Sequence, residues 1–335
     1  MRLLVALLIA GIALWSGYWF IGSSGVQSGF ATWFEDRRDE GWVAEYSDLT
    51  VQGFPSRFDT VFEDLALADP DTGLAWDASR FQLNALSYNP GHVIAVWPDT
   101  QLIATPLEKY DVTSRDMRAS AVVGLSTQLP LERSTLTAEA LEVSPQDREE
   151  PTRINALSLA IENVPATAAP VYRLGLRADG VTPSVPVRAR VDPRSSLPET
   201  LEALQADMVV EFDKPWNRSA IEVARPQPRN IDLKLAQARW GRLELQAAGK
   251  VTVDARGIPT GEITVKARNW REILELAVTA GAIPKGFAGT LEDGLSLLSQ
   301  MAGNPKTLDI PLGFRSGRVM LGPVPIGPAP VIRLR

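Results

Sequence analysis

The chain has 335 residues, 45% of them hydrophobic, enough for one large domain or two ordinary ones with a sizeable core. Against 34 basic side chains stand 40 acidic ones, and the net charge of −6 gives no electrostatic reason to bind nucleic acid or an anionic surface. With no cysteine and one histidine, disulfides and thiolate metal sites are excluded and a histidine-based metal site has no ligand set.

The first element is a run of nineteen residues, beginning at Leu3 and closing on Ile21, without a charged side chain; after Arg2 the next charge is Glu35. As a helix it rises roughly 28 Å, about the thickness of a bilayer core. Arg2 and the α-amino group precede it, while Glu35, Asp36, Arg37 and Arg38 follow and nearly cancel. The positive-inside rule therefore keeps the short basic end in the cytoplasm and exports the body. This predicts a transmembrane anchor over residues 1–23 of a single-pass inner-membrane protein with its body in the periplasm. Trp15, Tyr18, Trp19 and Phe20 fit an interfacial aromatic belt. The rival is a cleaved signal peptide, with residues 3–14 as its apolar core and Gly22-Ser23-Ser24 as a weak processing site. A buried core helix is disfavoured because no amphipathic period is present.

Residues 24–41 form a membrane-proximal helix with Val26, Phe30, Trp33, Phe34 and Arg37 at steps of three and four, ended by Gly41. From Trp42 the period becomes two. Strands are expected around Val43 to Val51, Phe58 to Leu67, Leu74 to Leu86 and Val93 to Val96, then over residues 101–105, 117–126 and 134–143, separated by Pro, Gly, Asn and Asp turns. No convincing amphipathic helix separates a pair of strands, so an antiparallel meander is expected rather than βαβ units. Residues 147–151 make a charged loop. Strands resume at 153–163 and 171–178. The Pro-rich stretch 179–198 is the candidate division of the body, residues 42–335, into two halves. A second strand set covers 207–212, 230–236, 239–247, 250–254 and 261–267, with one face apolar and one polar. A helix over 269–281 has capping-box spacing at Asn269 and Glu272 and a stop at Gly281. A second, over 284–302, aligns Phe287, Leu291, Leu295, Leu298 and Met301 before Gly303-Asn304. Two strands, 308–315 and 318–321, and a Gly-Pro-rich end complete the chain. The class is α+β, predominantly β: an N-terminal transmembrane helix, then a long curled antiparallel sheet with a helix pair near the C-terminus.

No motif carries chemistry. His92 lies in Asn89-Pro90-Gly91-His92-Val93 without a nucleophile or acid partner placed by a motif. There is no G-x-S-x-G, P-loop or G-x-G-x-x-G sequence, so neither an enzyme nor a cofactor site is expected. Asp69 and Asp71 bracket a turn proline, where Asp serves the backbone. Arg37 and Arg38 read as a solvated helix face neutralised by Glu35, Asp36 and Asp39. Tryptophan occurs nine times. Packing of a thin sheet accounts for this, and an apolar groove accepting acyl chains is the sharper alternative. The groove's candidate lining is Phe58, Trp76, Leu83, Val210, Leu233, Leu243, Leu245, Ile263 and Val265.

Val51-Gln52-Gly53-Phe54-Pro55-Ser56-Arg57-Phe58, Tyr88-Asn89-Pro90-Gly91-His92-Val93-Ile94-Ala95 and Gly257-Ile258-Pro259-Thr260-Gly261 carry a resemblance that runs nearly end to end. With the N-terminal segment, the helix pair and the Gly-Pro-rich end, they resemble an uncharacterised membrane-anchored exported family of Gram-negative bacteria grouped with the AsmA-like proteins. The resemblance implies binding or handling of lipid, phospholipid in particular, in envelope maintenance, and supplies no functional residues. The alternative is an anchored scaffold with a fully packed core that recruits other envelope proteins. Roughly sixteen strands at about 4.8 Å extend at most ~75 Å, and this chain is much shorter than the members thought to bridge the envelope.

Overall fold

The structure is a computed structural model that describes residues 1–147, 150–165, 169–281, 283, 285–301 and 306–334. It contains five helices and eighteen strands among the described residues. The chain forms two compact units: residues 1–125 with 134–149, and residues 126–133 with 150–335.

The first unit begins with α1 (Arg2–Asp39), a single helix with no break between the expected anchor and the membrane-proximal segment. Among the described residues it is the one helix long and apolar enough to cross a membrane. Strands follow as β1 (Val43–Glu45), β2 (Asp48–Gln52), β3 (Arg57–Asp69), β4 (Leu74–Leu86), β5 (Asn89–Val96), β6 (Thr100–Ala104), β7 (Lys109–Thr113), β8 (Arg118–Val123) and β9 (Leu131–Pro145). Each pairing is antiparallel. β1 and β2 lie end to end along β3, which pairs with β4 over nearly its whole length. Beyond β4 the rungs are broken: β5 takes its C-terminal half and β6 its N-terminal half, with Pro98 between them unable to donate to a ladder. β8 follows β5, β7 follows β6, and β9 closes on β7. In β3 the apolar set shifts parity from Phe58 and Phe62 to Leu65 and Leu67 across Asp64, whose φ of 50° turns the strand over.

The C-terminal half of α1 covers the β1 to β4 part of this sheet. Phe34, Ala44, Leu49, Phe62 and Leu65 form the buried centre, with Phe30, Trp33, Trp42, Trp76, Phe81 and Leu83 around it. Arg37 is not solvated as its charged neighbourhood suggested. It is 6% exposed, 5.7 Å from the Trp33 ring and 5.9 Å from the Trp42 ring, and paired with Glu40 at 2.7 Å. Two aromatic faces and one carboxylate replace its water.

The second unit is a meander of nine antiparallel strands: β10 (Thr152–Asn163), β11 (Val171–Thr182), β12 (Leu201–Phe212), β13 (Pro228–Trp240), β14 (Leu243–Val253), β15 (Pro259–Arg268), β16 (Thr307–Arg315), β17 (Arg318–Leu321) and β18 (Val324–Pro328). Short helices α2 (Val185–Val191) and α3 (Ser219–Glu222) interrupt it, and α4 (Trp270–Thr279) and α5 (Lys285–Met301) stand between β15 and β16. Residues 126–133 join this unit: the Leu131 N–H donates to the Trp216 carbonyl at 2.7 Å, and the Arg218 N–H to the Gln128 carbonyl at 2.9 Å.

Several sequence boundaries move. The stretch 179–198 lies wholly inside the second unit and contains α2; the unit boundaries fall at 125/126, 133/134 and 149/150. The expected strands 239–247 and 250–254 are one strand, β14, and the turn is at Gly241. Ala248-Gly249 resembles a turn, but Gly249 sits mid-strand, where a Cβ would lie 2.3 Å from the Glu262 carbonyl oxygen. Glycine is there for close strand approach. Asn269 makes no side-chain cap. At φ 57° its amide donates to the Arg242 carbonyl at 2.6 Å, and Glu272 pairs with Arg242 at 2.7 Å. The expectations for Arg148 and Glu149 in the charged loop, for Pro284 and Ala302 in the second helix and for Gly303-Asn304 lie outside the described residues, as do the side chains of Phe287, Leu298 and Met301.

The loop between α2 and β12 is held by a buried carboxylate. Asp192 accepts from the Ser196 hydroxyl at 3.0 Å and the Leu197 N–H at 2.8 Å. Burial opposes its charge, but hydrogen bonds from the Leu197 and Ser196 amides, the Ser196 hydroxyl and the Arg194 amide outweigh that and hold the carboxyl below its ordinary value. Its stabilisation is therefore present above the unfolded value, about 3.9, and is lost as the pH falls through the lower folded one. Asp192→Ala is expected to lower stability by about 1–3 kcal/mol at pH 7. Urea denaturation at neutral and acid pH checks this, and the gap from the parent narrows in acid.

Candidate functional site

The strands of the second unit have one charged face and one apolar face. The charged face carries Arg173 against Asp207 at 2.7 Å, Lys234 and Lys250 against Asp232 at 2.7 and 3.2 Å, and Lys266 against Asp309 at 3.2 Å. The Arg173 guanidinium holds the Asp207 carboxyl below the usual range, and Lys234 does the same for Asp232. These pairs are partly exposed and screened, so they keep this face wet rather than stabilise the fold much.

Register fixes the other face. Leu159 stands opposite Leu176, Leu176 opposite Ala206, Ala206 opposite Ala236, Ala236 opposite Ala247, Ala247 opposite Val265 and Val265 opposite Ile310. Directly paired residues share a face, so this is one apolar row crossing seven strands, about 29 Å at the usual spacing. Leu157, Ala178, Leu204, Ala238, Leu245, Ala267 and Leu308 form the neighbouring row on the same evidence of pairing.

The two ends of these rows differ in cover. Over β14 to β16, Trp270 and Leu274 of α4 and Leu291 and Leu295 of α5 bury Ala267, Leu308 and Ile310, with Leu245 and Val265 beside them. Over β10 to β12 the rows stay accessible. Leu159 is 38% and Leu204 40% exposed, and Leu157, Leu174, Leu176 and Met208 are half-buried. Tyr172, Val210 and Phe212, with Trp216, pack at one margin of this strip, where the Trp216 N–H donates to the Tyr172 hydroxyl at 3.0 Å. The result is an uncharged apolar strip that runs from open at β10 to covered beneath α4 and α5.

The sequence-derived lining is divided by the structure. Leu233 and Ile263 stand opposite the same Gly249 and lie on the apolar face of the strip, and Leu243 lies on the same face of β14. Leu245 and Val265 belong to the covered end, and Val210 is in the aromatic margin. Phe58, Trp76 and Leu83 belong to the first unit. Trp76 and Leu83 pack around the centre covered by α1, and Phe58 is buried against the helix at Gly22. The open positions of β10 to β12 were missed, although Leu157-x-Leu159-x-Ile161 and Leu174-x-Leu176 alternate as clearly as β14 does. Among the described residues no three His, Asp or Glu side chains are placed to hold a metal ion. His92 meets Ser120 Oγ at 2.8 Å, and Asp69 binds its own turn through the Asp71 N–H at 2.9 Å and the Thr72 hydroxyl at 2.8 Å.

In the first unit, α1 is bonded to the body from the aromatic positions of the apolar run. Trp15 Nε1 donates to the Pro55 carbonyl at 2.9 Å, Trp19 Nε1 to the Arg57 carbonyl at 2.7 Å, and the Tyr18 hydroxyl to the Ser87 carbonyl. Further along, Gln27 donates to the Leu49 carbonyl at 2.8 Å and Arg38 to the Ala44 carbonyl at 2.8 Å. Gly22 lets the helix approach, since a Cβ there would lie 2.6 Å from the Phe58 ring.

The chain belongs to the family described as uncharacterized protein conserved in bacteria (DUF2125), whose model matches residues 19–330. No curated protein matches it, and no solved structure matches it. The match starts at Trp19, inside α1, and so takes in the helix from Trp19 onward together with nearly all of both units.

Gly22→Leu is expected to force the Phe58 ring aside and weaken docking of α1, lowering stability by about 1–3 kcal/mol. Thermal unfolding in detergent and proteolysis within residues 22–42 check this, with membrane extraction of the variant unchanged.

Proposed function

We propose that this family member is a non-enzymatic, single-pass inner-membrane protein whose periplasmic body binds phospholipid acyl chains along the apolar strip of its second unit, in envelope maintenance and in the manner of AsmA-like proteins. The observation that carries the proposal is the open end of the strip: rows of uncharged residues on which large apolar side chains stay accessible while the Arg173–Asp207 pair of the same strands sits on the opposite face. Soluble proteins seldom leave such a surface uncovered without a partner for it. Retention of the anchor is supported by the hydrogen bonds from Trp15, Tyr18 and Trp19, because cleavage near residues 22–24 removes all three donors and exposes Phe58. An anchored protein acts beside a lipid supply, which favours lipid over a soluble apolar ligand.

The second reading is an anchored scaffold. It draws on the covered parts: α1 covers β1 to β4 of the first unit, and α4 and α5 cover part of the second.

A photoreactive residue at Leu204, introduced in cells, is expected to cross-link to phospholipid, whereas one at Arg177 on the charged face is not. The double substitution Leu159→Glu and Leu204→Glu is expected to abolish the lipid detected by mass spectrometry of the purified full chain with little loss of fold, since both side chains are already partly exposed. A bare Leu204 probe together with lipid-free purified protein would falsify the lipid reading and leave the scaffold.

A further inference from the structure

The contacts of α1 place one end of the first unit at a definite height on the helix. Pro55, Arg57 and Ser87 receive hydrogen bonds from Trp15, Trp19 and Tyr18. The rise from Leu3 to Trp15 is only about 18 Å, whereas a bilayer core is about 30 Å thick and needs the helix as far as Ile21. The loops at 53–57 and 86–91 therefore run alongside roughly the last 10 Å of the apolar span.

These loops have the surface that such a position requires. Phe54 is 51% exposed, Leu86 37% and Tyr88 65%. Leu125 joins them at 74%: the pairing of His92 with Val122 brings the end of β8 to this end of the sheet, and a Cβ on Gly91 would lie 3.1 Å from Leu125 Cδ2. Phe54 stacks on Phe20 of the helix with centroids 5.7 Å apart, so the apolar surface is continuous from helix to loop. Residues 53–56, 86–91 and 119–125 carry no formal charge. The nearest charge, Arg57, is turned to Asp59 at 2.9 Å. At the opposite end of the same strands the β3–β4 turn is polar, with Asp69 and Asp71.

We propose that Phe54, Leu86, Tyr88 and Leu125 form a rim that is embedded in the outer boundary of the bilayer, between headgroups and acyl chains. The partner is the lipid surface itself. This rests on α1 being a retained anchor but not on lipid binding along the strip of the second unit. The rim adds apolar and aromatic area at the interface, where Tyr and Phe are well suited. With α1 it forms a second attachment that fixes the tilt of helix and first unit together against the membrane.

The chain has no cysteine, so single labels are clean. Full-length Phe54→Cys, Tyr88→Cys and Leu125→Cys, each carrying a polarity-sensitive fluorophore, are compared with Leu107→Cys at the far end and Gly11→Cys in the helix. The protein is reconstituted in vesicles of phosphatidylethanolamine and phosphatidylglycerol after each variant is shown to melt like the parent. The expected result is blue-shifted emission at 54, 88 and 125, loss of quenching by aqueous iodide and strong quenching by lipids bearing a nitroxide near the headgroup, with the opposite pattern at 107. Rim probes as open to iodide as 107, while Gly11 is quenched by nitroxide lipid, overturn the rim and leave the anchor standing. Shielding from iodide without nitroxide quenching also overturns it, because a second copy of the chain is then the cover. If the Gly11 probe is not in lipid, anchor and rim fall together, and cross-linking at Leu204 still decides the strip.

Discussion

A β-strand that alternates apolar with polar residues leaves the sheet one face that water will not solvate well, and something must lie on it. Everything distinctive about this protein follows from how that demand is met. In the first unit the cover is α1, an element that precedes all the strands and is long and apolar enough to cross a membrane. In the second it is the α4–α5 pair, inserted late in the meander, whose buried contacts are with β15 and β16. The constraint is thus met over part of each sheet, by α1 over β1 to β4 and by α4 and α5 over β14 to β16, and apolar side chains stay accessible beyond both covers.

The two halves of the helix have different surroundings. In its first turns Leu3, Leu4, Leu7 and Leu8 are exposed, whereas Phe34 near its end is almost wholly buried. Between them lies the aromatic stretch whose ring N–H and hydroxyl groups bond to strand-end carbonyls. An indole at a membrane boundary usually finds water or headgroups for its N–H. Here the body supplies the acceptors, so the helix is hydrogen-bonded to the sheet along its length rather than joined to it by the chain alone.

Fold class was readable because its carrier is periodicity. Ile263-x-Val265-x-Ala267 and Trp270, Ile273, Leu274, Ala277 change from period two to 3.6 where β15 gives way to α4. What could not be read were matters settled by distant partners. Gly249 is a turn residue by propensity and a strand residue because β15 passes too close for a side chain. Arg37 looks solvated until Trp33 and Trp42 are brought to either side of it. The groove lining was half legible for a similar reason: alternation tells which side chains share a face, but not that α4 and α5 stop short of Leu159 and Leu204. Leu245 and Leu204 have equivalent places in their strands, and only the location of the helices makes one of them core and the other surface.

The interleaving of residues 126–133 with the second unit, before the chain returns to the first for 134–149, bears on how the protein comes apart. Neither unit is a continuous stretch of chain, so neither can be excised by a single cut. A protease nick within 126–133 yields two fragments, of which the C-terminal one still contributes β9 to the ladder of the N-terminal one through the pairing of Thr113 with Glu142 and Tyr110 with Pro145. The nicked halves are complementing fragments rather than separate domains, and the peptide bonds at the crossings are not what holds them together.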